Sequence, residues 1–344
     1  MDLPLAPLSL PPDQAAALAA LYRRGTPANT LRAWERDLAY IAAWKRAAFG
    51  AALDWPESEA VALRFLLDHA QDLTRVPGAA QDAALALVAA GLRRTLACPA
   101  PATLDRRIAS WRAFHRMRNL PSPFEAPLVS QARARARRAA ARPRARKSEN
   151  PITRPVLEAM LATCDHSHRG LRDTALLMLG WASGGRRRSE ISALNGDDVD
   201  ARDFEASGLL RIRLLATKTT GPGLAPRLPL KGRPARAVMA WITLARIGDG
   251  PLFRPVSLSD RVLPRRLGPE AIRAVVRNRL VLAGYPPDFA SAHGLRSGFL
   301  TQAALDGAPL PAAMALSLHR SPVQAQRYYA DVEIADNPAT DLLG

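Results

Sequence analysis

The chain has 344 residues, with 48 Lys and Arg against 31 Asp and Glu, a formal net charge of +17, and 48% hydrophobic residues. That length accommodates two folded domains, and that charge favours nucleic acid over a membrane surface as the partner. No run of about eighteen apolar residues occurs, and no basic segment leads into an apolar one at the N-terminus, so an unexported, cytoplasmic chain with no membrane partner is expected. Cys98 and Cys164 offer no disulfide framework, which suits a reducing compartment.

Leu31, Trp34, Leu38 and Ile41 recur at helical spacing after Asn29-Thr30, which predicts an amphipathic helix from Thr30 to about Ala48. Further helices are predicted over Ser58–Leu73, Ala80–Leu96 and Leu104–Met117, punctuated by Trp55-Pro56, Pro77-Gly78 and Pro99-Ala100-Pro101. The first part of the chain therefore reads as an all-helical domain. Trp34, Trp44 and Trp111 read as core residues rather than base-stacking groups.

An arginine-rich stretch follows, with Arg133, Arg135, Arg137 and Arg138, then Arg142, Arg144, Arg146 and Lys147. It is expected to be a basic helix end and linker that lies along a phosphate backbone, and the domain boundary falls within it. A solvated connector is the bland alternative.

The second half opens with a predicted helix over Pro155–Cys164 and a nearly all-apolar one over Leu171–Trp181, which should be buried. Cys164, His166 and His168 lack the second ligand group of a zinc site and read as solvent-side loop residues. Asp197, Asp198, Asp200 and Asp203 lack the Gly and terminal Glu of a calcium loop and read as a turn. Leu209–Ala216 and Ala225–Leu230 form the one clear predicted β-hairpin, and helices are expected over Pro234–Ile247, Pro269–Gly284, Gly294–Leu305 and Pro311–Leu318. With no Gly-rich phosphate loop, no nucleotide is implied.

Lysine is rare: the chain has Lys45, Lys147, Lys218 and Lys231 only. Where arginine is the default cation, a lysine can be present because an ammonium gives up a proton and a guanidinium does not. Lys45, Lys147 and Lys231 sit in stretches that read as surface, which leaves Lys218 in the hairpin for a chemical role.

Gly184-Gly185 allows a sharp turn, and a helix beginning near Arg188 leaves Arg187 at a helix N-terminus, a place suited to phosphate. Arg187-x-Ser189-Glu190, the hairpin lysine, His293-x-x-Arg296, Leu318-His319-Arg320-Ser321 and Tyr328 then follow in order, with Tyr328 nine positions beyond His319. Each motif is weak alone. Together, over about residues 150–329, they resemble the tyrosine recombinase (phage integrase) family, and residues 25–120 look more loosely like that family's helical core-binding domain.

The resemblance implies a mainly α fold with a small β-hairpin or sheet: a helical core-binding domain over residues 1–130, a basic linker over 131–150, an α+β catalytic domain over 151–330 and a tail over 331–344. It implies that Arg187 and Arg296 grip the scissile phosphate, that Lys218 is the hairpin lysine, that His293 and His319 complete the pocket and that Tyr328 is the nucleophile. The tail would dock on a neighbouring subunit within a tetramer, or fold on its own domain. Leu318 stands where a Gly is common in the family, and Tyr329 adjoins Tyr328.

Elementary chemistry agrees with these assignments. A phosphodiester attacked by a phenol gathers negative charge on its non-bridging oxygens, to which guanidinium groups donate paired hydrogen bonds. A phenol with pKa near 10 needs a base, for which His293 is the candidate, and the leaving 5′-oxygen needs a proton that Lys218 can supply. The expected function is a site-specific DNA recombinase that works through a 3′-phosphotyrosine without metal, nucleotide or other cofactor. Its partners are duplex DNA, further copies of itself and accessory DNA-bending or directionality proteins, which would associate it with the nucleoid. A type IB topoisomerase or resolvase-like strand transferase, and a non-catalytic DNA-binding accessory protein, are the alternatives.

Overall fold

The computed structural model describes residues 10–140, 148, 150–214 and 225–333, and the chain divides into two compact units, Met1–Arg144 and Ala145–Gly344. The first is helical throughout its described length: α1 (Pro12–Gly25), α2 (Ala28–Phe49), α3 (Glu59–His69), α4 (Ala79–Ala89), α5 (Pro101–Met117) and α6 (Pro127–Ala139). Its core gathers Ile41, Trp44, Phe65, Leu66, Ile108 and Trp111 from α2, α3 and α5. Trp44 and Trp111 both meet Phe65 edge to face, at centroid distances of 4.9 and 5.4 Å, while Trp34 is half-buried against Phe114.

The helix ends follow local chemistry more closely than apolar spacing does. Ser58 caps α3, its Oγ accepting from the Val61 N–H, and α4 stops at Ala89, well short of Leu96, because Gly91 turns the chain through a left-handed φ of 69°. Helix α1 has no buried residue, which is why no core-facing stripe announced it.

Polar groups are woven into this core. Lys45, expected at the surface, is buried with its Nζ 2.7 Å from the equally buried Glu57 carboxylate. It lies next to Trp44 on the inward face of α2, and the carboxylate makes its burial tolerable. His69 Nδ1 lies 2.7 Å from the Phe65 carbonyl and must carry the proton, so Nε2 accepts from the Tyr40 hydroxyl at 2.7 Å. Burial drives His69 down to about 3.

The second unit comprises α7 (Arg154–Ala162), α8 (His168–Ala182), α9 (Arg188–Ala193), β1 (Val199–Asp200), α10 (Phe204–Ser207), β2 (Leu209–Arg213), β3 (Arg227–Lys231), α11 (Arg233–Leu244), α12 (Pro269–Leu282), α13 (Gly294–Leu305), α14 (Leu310–Ser317) and α15 (Pro322–Glu333). Helix α8 is its axis: Ala175, Leu176, Leu177 and Leu179 are completely buried, and α11 packs along it. Strands β2 and β3 pair antiparallel with Leu210 opposite Leu230 and Ile212 opposite Leu228, all four buried on one face. The two-residue β1 adds a third strand to the expected hairpin by pairing with β2, a segment too short for alternation to reveal.

His168, expected in a loop, instead opens α8, where Asp260 accepts from its backbone N–H and its Nδ1, each at 2.9 Å. Among the described residues no His, Cys, Asp and Glu group is placed to hold a metal ion, and no helix is long and apolar enough to cross a membrane. Asp198 does lie in a turn, the short 3-10 helix Gly196–Asp198, but it is buried there, accepting from the Asn195 N–H and from Arg213.

Helix α13 packs closely on Ser148 and Ile152. A Cβ on Gly298 would lie 1.8 Å from the Ile152 carbonyl oxygen, which also accepts from Trp181 Nε1–H at 2.8 Å, and the Ile152 N–H donates to the Gly294 carbonyl at 2.9 Å. Only glycine at 298 lets α13 sit against Ile152 and α8 together.

The neutral His69 makes a pH signature of the first unit. In the folded state His69 has a pKa near 3, below the ordinary value of 6.5, so the unfolded chain takes up the second imidazole proton first as pH falls. Stability should therefore drop from pH 6.5 towards pH 3 by up to about 1.4 kcal/mol per unit from this residue. Urea denaturation of wild type and His69→Gln across that range should give a shallower acid slope for the variant.

Candidate active site

Two adjacent glycines place the first catalytic candidates. Gly184 and Gly185 both have positive φ, 96° and 70°, and a Cβ would lie 2.3 Å from the Leu316 carbonyl oxygen at the first and 2.3 Å from Arg296 Cα at the second. Without side chains they let the turn after α8 lie directly against α13 and the end of α14. Arg187 then becomes the N-cap of α9, and Glu190, one turn on, accepts from the Arg187 backbone N–H at 3.1 Å and from its Nη1 at 2.5 Å.

Arg296, on the first turn of α13, is 2% exposed, and its Nη1 donates to the Gly185 carbonyl at 3.1 Å. Its Nη2 lies 3.3 Å from both ring nitrogens of His319. Burial, and then the charges of Arg187 and Arg186, lower Arg296 to about 10, which still leaves it charged at neutral pH. His319 is pushed down to about 4 by burial and then by Arg296, Arg187, Arg186 and His293, so its imidazole is neutral.

His293 is the N-cap of α13, and its Nε2 lies 3.2 Å from the Tyr328 hydroxyl on α15. The neighbouring tyrosine points elsewhere: Tyr329 is buried among Leu300 and Ala313, and its hydroxyl donates to the Ala308 carbonyl at 3.1 Å. The ring of His319 faces that of Tyr328 at a centroid distance of 6.2 Å. Arg187, His293, Arg296, His319 and Tyr328 thus surround one polar recess, with Tyr328 half-buried. Lys218 lies outside the described residues, between β2 and β3.

Three side chains at this site were given no role in the sequence reading, although Glu190 stands in the motif with Arg187. Arg186 is 1% exposed; it donates through Nη2 to the carbonyls of Leu316 at 2.7 Å and Gly184 at 3.2 Å, and stands 3.7 Å from Glu190. It ties the end of α14 to the glycine turn, a role hidden inside a run of three arginines. Glu190 is, among the described residues, the carboxylate set against Arg186, Arg187 and Arg296. Ser317 is completely buried, its Oγ 2.8 Å from His319 Nδ1. Leu318, where glycine is common in the resembled family, takes the left-handed conformation glycine would take, φ 56° and ψ 40°.

The basic stretch divides. Arg133 donates through Nε and Nη2 to Asp105 at 3.0 and 2.7 Å and so faces its own unit, while Arg137 stands 3.7 Å from the same carboxylate with its side chain still exposed. Arg135 and Arg138 are exposed on α6, and Arg142, Arg144, Arg146 and Lys147 lie outside the described residues.

No family model matches the chain. Over 189 residues it is 28% identical to an integrase/recombinase XerD homologue of Selenomonas ruminantium, covering 53% of this chain and 54% of the relative. Over 191 residues it is 33% identical to the tyrosine recombinase XerD of Xanthomonas axonopodis pv. citri, covering 52% and 57%. The chain therefore spans about half the length of the curated relatives it matches. In structure it is similar to the integrase of the Tn1549 transposon in complex with transposon right end DNA, with a TM-score of 0.56 at 16% identity over 92% of this chain and 96% of that one. It is also similar to a lambda integrase dimer bound to a COC′ core site, with a TM-score of 0.51 at 15% identity over 90% and 74%. These structures share its fold, mostly helical with one small sheet.

The Leu318 turn can be tested by itself. A left-handed residue with a Cβ costs roughly 1–2 kcal/mol, so Leu318→Gly should be more stable than Leu318→Ala by about 1 kcal/mol once the glycine's larger unfolded-state entropy is deducted. Equal midpoints in urea would mean that residue 318 does not hold this conformation.

Proposed function

We propose that this chain, which resembles the tyrosine recombinases in sequence over half its length and in fold, is a site-specific DNA recombinase with Tyr328 as its nucleophile. The observation that carries the reading is the convergence on the Tyr328 hydroxyl of cationic and imidazole groups from α9, α13 and the turn after α14, with His293 Nε2 within 3.2 Å. The curated relatives are named as recombinases, and the structural neighbours include integrases solved with DNA, which supports a duplex as the partner.

In the proposed reaction the Tyr328 oxygen attacks phosphorus while its proton passes to His293 Nε2. The bond from phosphorus to the 5′-oxygen breaks, and Lys218 protonates the departing oxygen, leaving a 3′-phosphotyrosine. Arg187 and Arg296 donate to the non-bridging oxygens, and their charge offsets the additional negative charge of the transition state. His319, neutral at pH 7, contributes one N–H. The phosphotyrosine conserves the energy of the broken bond, so a 5′-hydroxyl from another strand reverses the step on a new partner. Recombination would take place in a tetramer on DNA in the cytoplasm, in association with the nucleoid and with accessory DNA-bending or directionality proteins. Arg135, Arg138, Arg142, Arg144, Arg146 and Lys147 are the proposed backbone contacts, and Arg133 and Arg137 would join them by leaving Asp105.

The deciding experiment mixes the protein with labelled duplexes tiling the DNA that flanks its gene, including nicked versions that trap the cleaved state. Wild type should give an SDS-resistant adduct and Tyr328→Phe none, while both bind with an affinity that falls steeply with salt. Arg187→Ala should bind but cleave at least about a hundredfold more slowly, the scale of losing a preorganised donor. Lys218→Ala should be slow on ordinary DNA and recover on a substrate whose 5′ leaving group needs no proton. Specific binding with no adduct on any trapping duplex would favour the accessory-protein alternative.

A further inference from the structure

We infer that Ser317 is a positioning residue that fixes the tautomer of His319, holding the proton on Nε2 so that this nitrogen faces the recess as a donor. The inference rests on the proposed chemistry for its purpose but not for its geometry.

A neutral imidazole carries its proton on one nitrogen and a lone pair on the other, and only the protonated one can donate to a phosphate oxygen. His319 contacts two groups that bear on the choice. Arg296 Nη2 sits 3.3 Å from both nitrogens, so it does not discriminate between them. Ser317 does: its Oγ lies 2.8 Å from Nδ1 alone.

The direction of that bond is set by the surroundings of the hydroxyl. Ser317 is 0% exposed, and among the described residues its Oγ has no other hydrogen-bond partner. A serine near the end of a helix often donates to the carbonyl four residues back, as Ser183 does to Leu179 at 2.6 Å. Ser317 makes no such bond. If Nδ1 carried the proton, the serine hydroxyl hydrogen would be buried without an acceptor, a penalty typical of orphaned polar groups. With the hydroxyl donating to Nδ1, every polar hydrogen in the pair is used and the Nε2–H is left for the recess.

The backbone holds the pair in register. Arg186 grips the Leu316 carbonyl one residue before Ser317, and the left-handed Leu318 between the two partners folds His319 back towards its own helix end. Burial and the neighbouring guanidinium groups keep the ring neutral, so the tautomer, rather than the charge, decides what His319 offers.

The test uses the full chain with ring-¹⁵N histidine and long-range ¹H–¹⁵N correlation, His319→Gln assigning the signal. Wild type should show His319 protonated on Nε2; Ser317→Ala should show a shift towards the Nδ1–H form, with the His69 and His293 signals unmoved as evidence of an intact fold. Ser317→Cys, close in shape but a weaker donor, should fall between them and serves if the alanine variant fails to fold. On the trapping duplex, Ser317→Ala should form adduct about tenfold more slowly at unchanged binding, a partial loss of one donor. An Nδ1–H signal in wild type, or one that Ser317→Ala leaves unchanged, overturns the inference. The expected tautomers without any wild-type adduct would instead count against the recombinase reading and leave the Ser317–His319 pairing standing.

Discussion

Gly185 lies so close to Arg296 that the missing side chain is what defines the site. A Cβ there would stand 2.3 Å from Arg296 Cα, and one on Gly184 would strike the end of α14. Two helices distant in sequence can therefore meet a single turn, and the turn's own carbonyl becomes an acceptor for the buried guanidinium of Arg296. This contact in turn places Arg187 at the head of α9 and His319 after α14, since both are fastened to the same few backbone atoms.

The electrostatic consequence is a concentration of like charge. Among the described residues Arg186, Arg187 and Arg296 share Glu190 as their one near carboxylate, and two of the three are almost fully buried. Burial first, and the neighbouring guanidinium groups after it, draw Arg186 and Arg296 down to about 10 against the opposing pull of Glu190, so the recess stays cationic at neutral pH with its repulsion only partly relieved. An anion is the natural complement, and one that gains charge during a reaction is favoured more than one that does not. The depressed His319 belongs to the same picture: among so many guanidinium groups a second kind of donor must be uncharged.

Much of this was legible in the sequence, because helices with one apolar face and motifs with fixed order leave local traces. The start of α13 at Gly294, the burial of α8 and the β2–β3 hairpin fall where periodicity and turn residues place them. The spacing from His319 selected Tyr328, and it is the Tyr328 hydroxyl that lies beside His293. What escaped was decided by contacts across the chain. Lys45 is inside because Glu57 meets it there, Ser317 matters because of an imidazole two residues on, and Arg186 cannot be distinguished in sequence from the arginines beside it. The two-residue β1 exists only as the partner of β2.

The paired tyrosines have one more consequence. Successive residues of an α-helix point about 100° apart, so Tyr328 and Tyr329 cannot face the recess together. By seating its ring in an apolar socket and its hydroxyl on the Ala308 carbonyl, Tyr329 works as a key that sets the rotational phase of α15. A slip of the helix by one residue would bring Ala330 to the socket in place of Tyr329, or Arg327 to His293 in place of Tyr328, so either the Ala308 hydrogen bond or the phenol beside His293 would be lost. The second tyrosine thus acts as a detent, making one angular setting of α15 preferred and with it the identity of the phenol presented to His293.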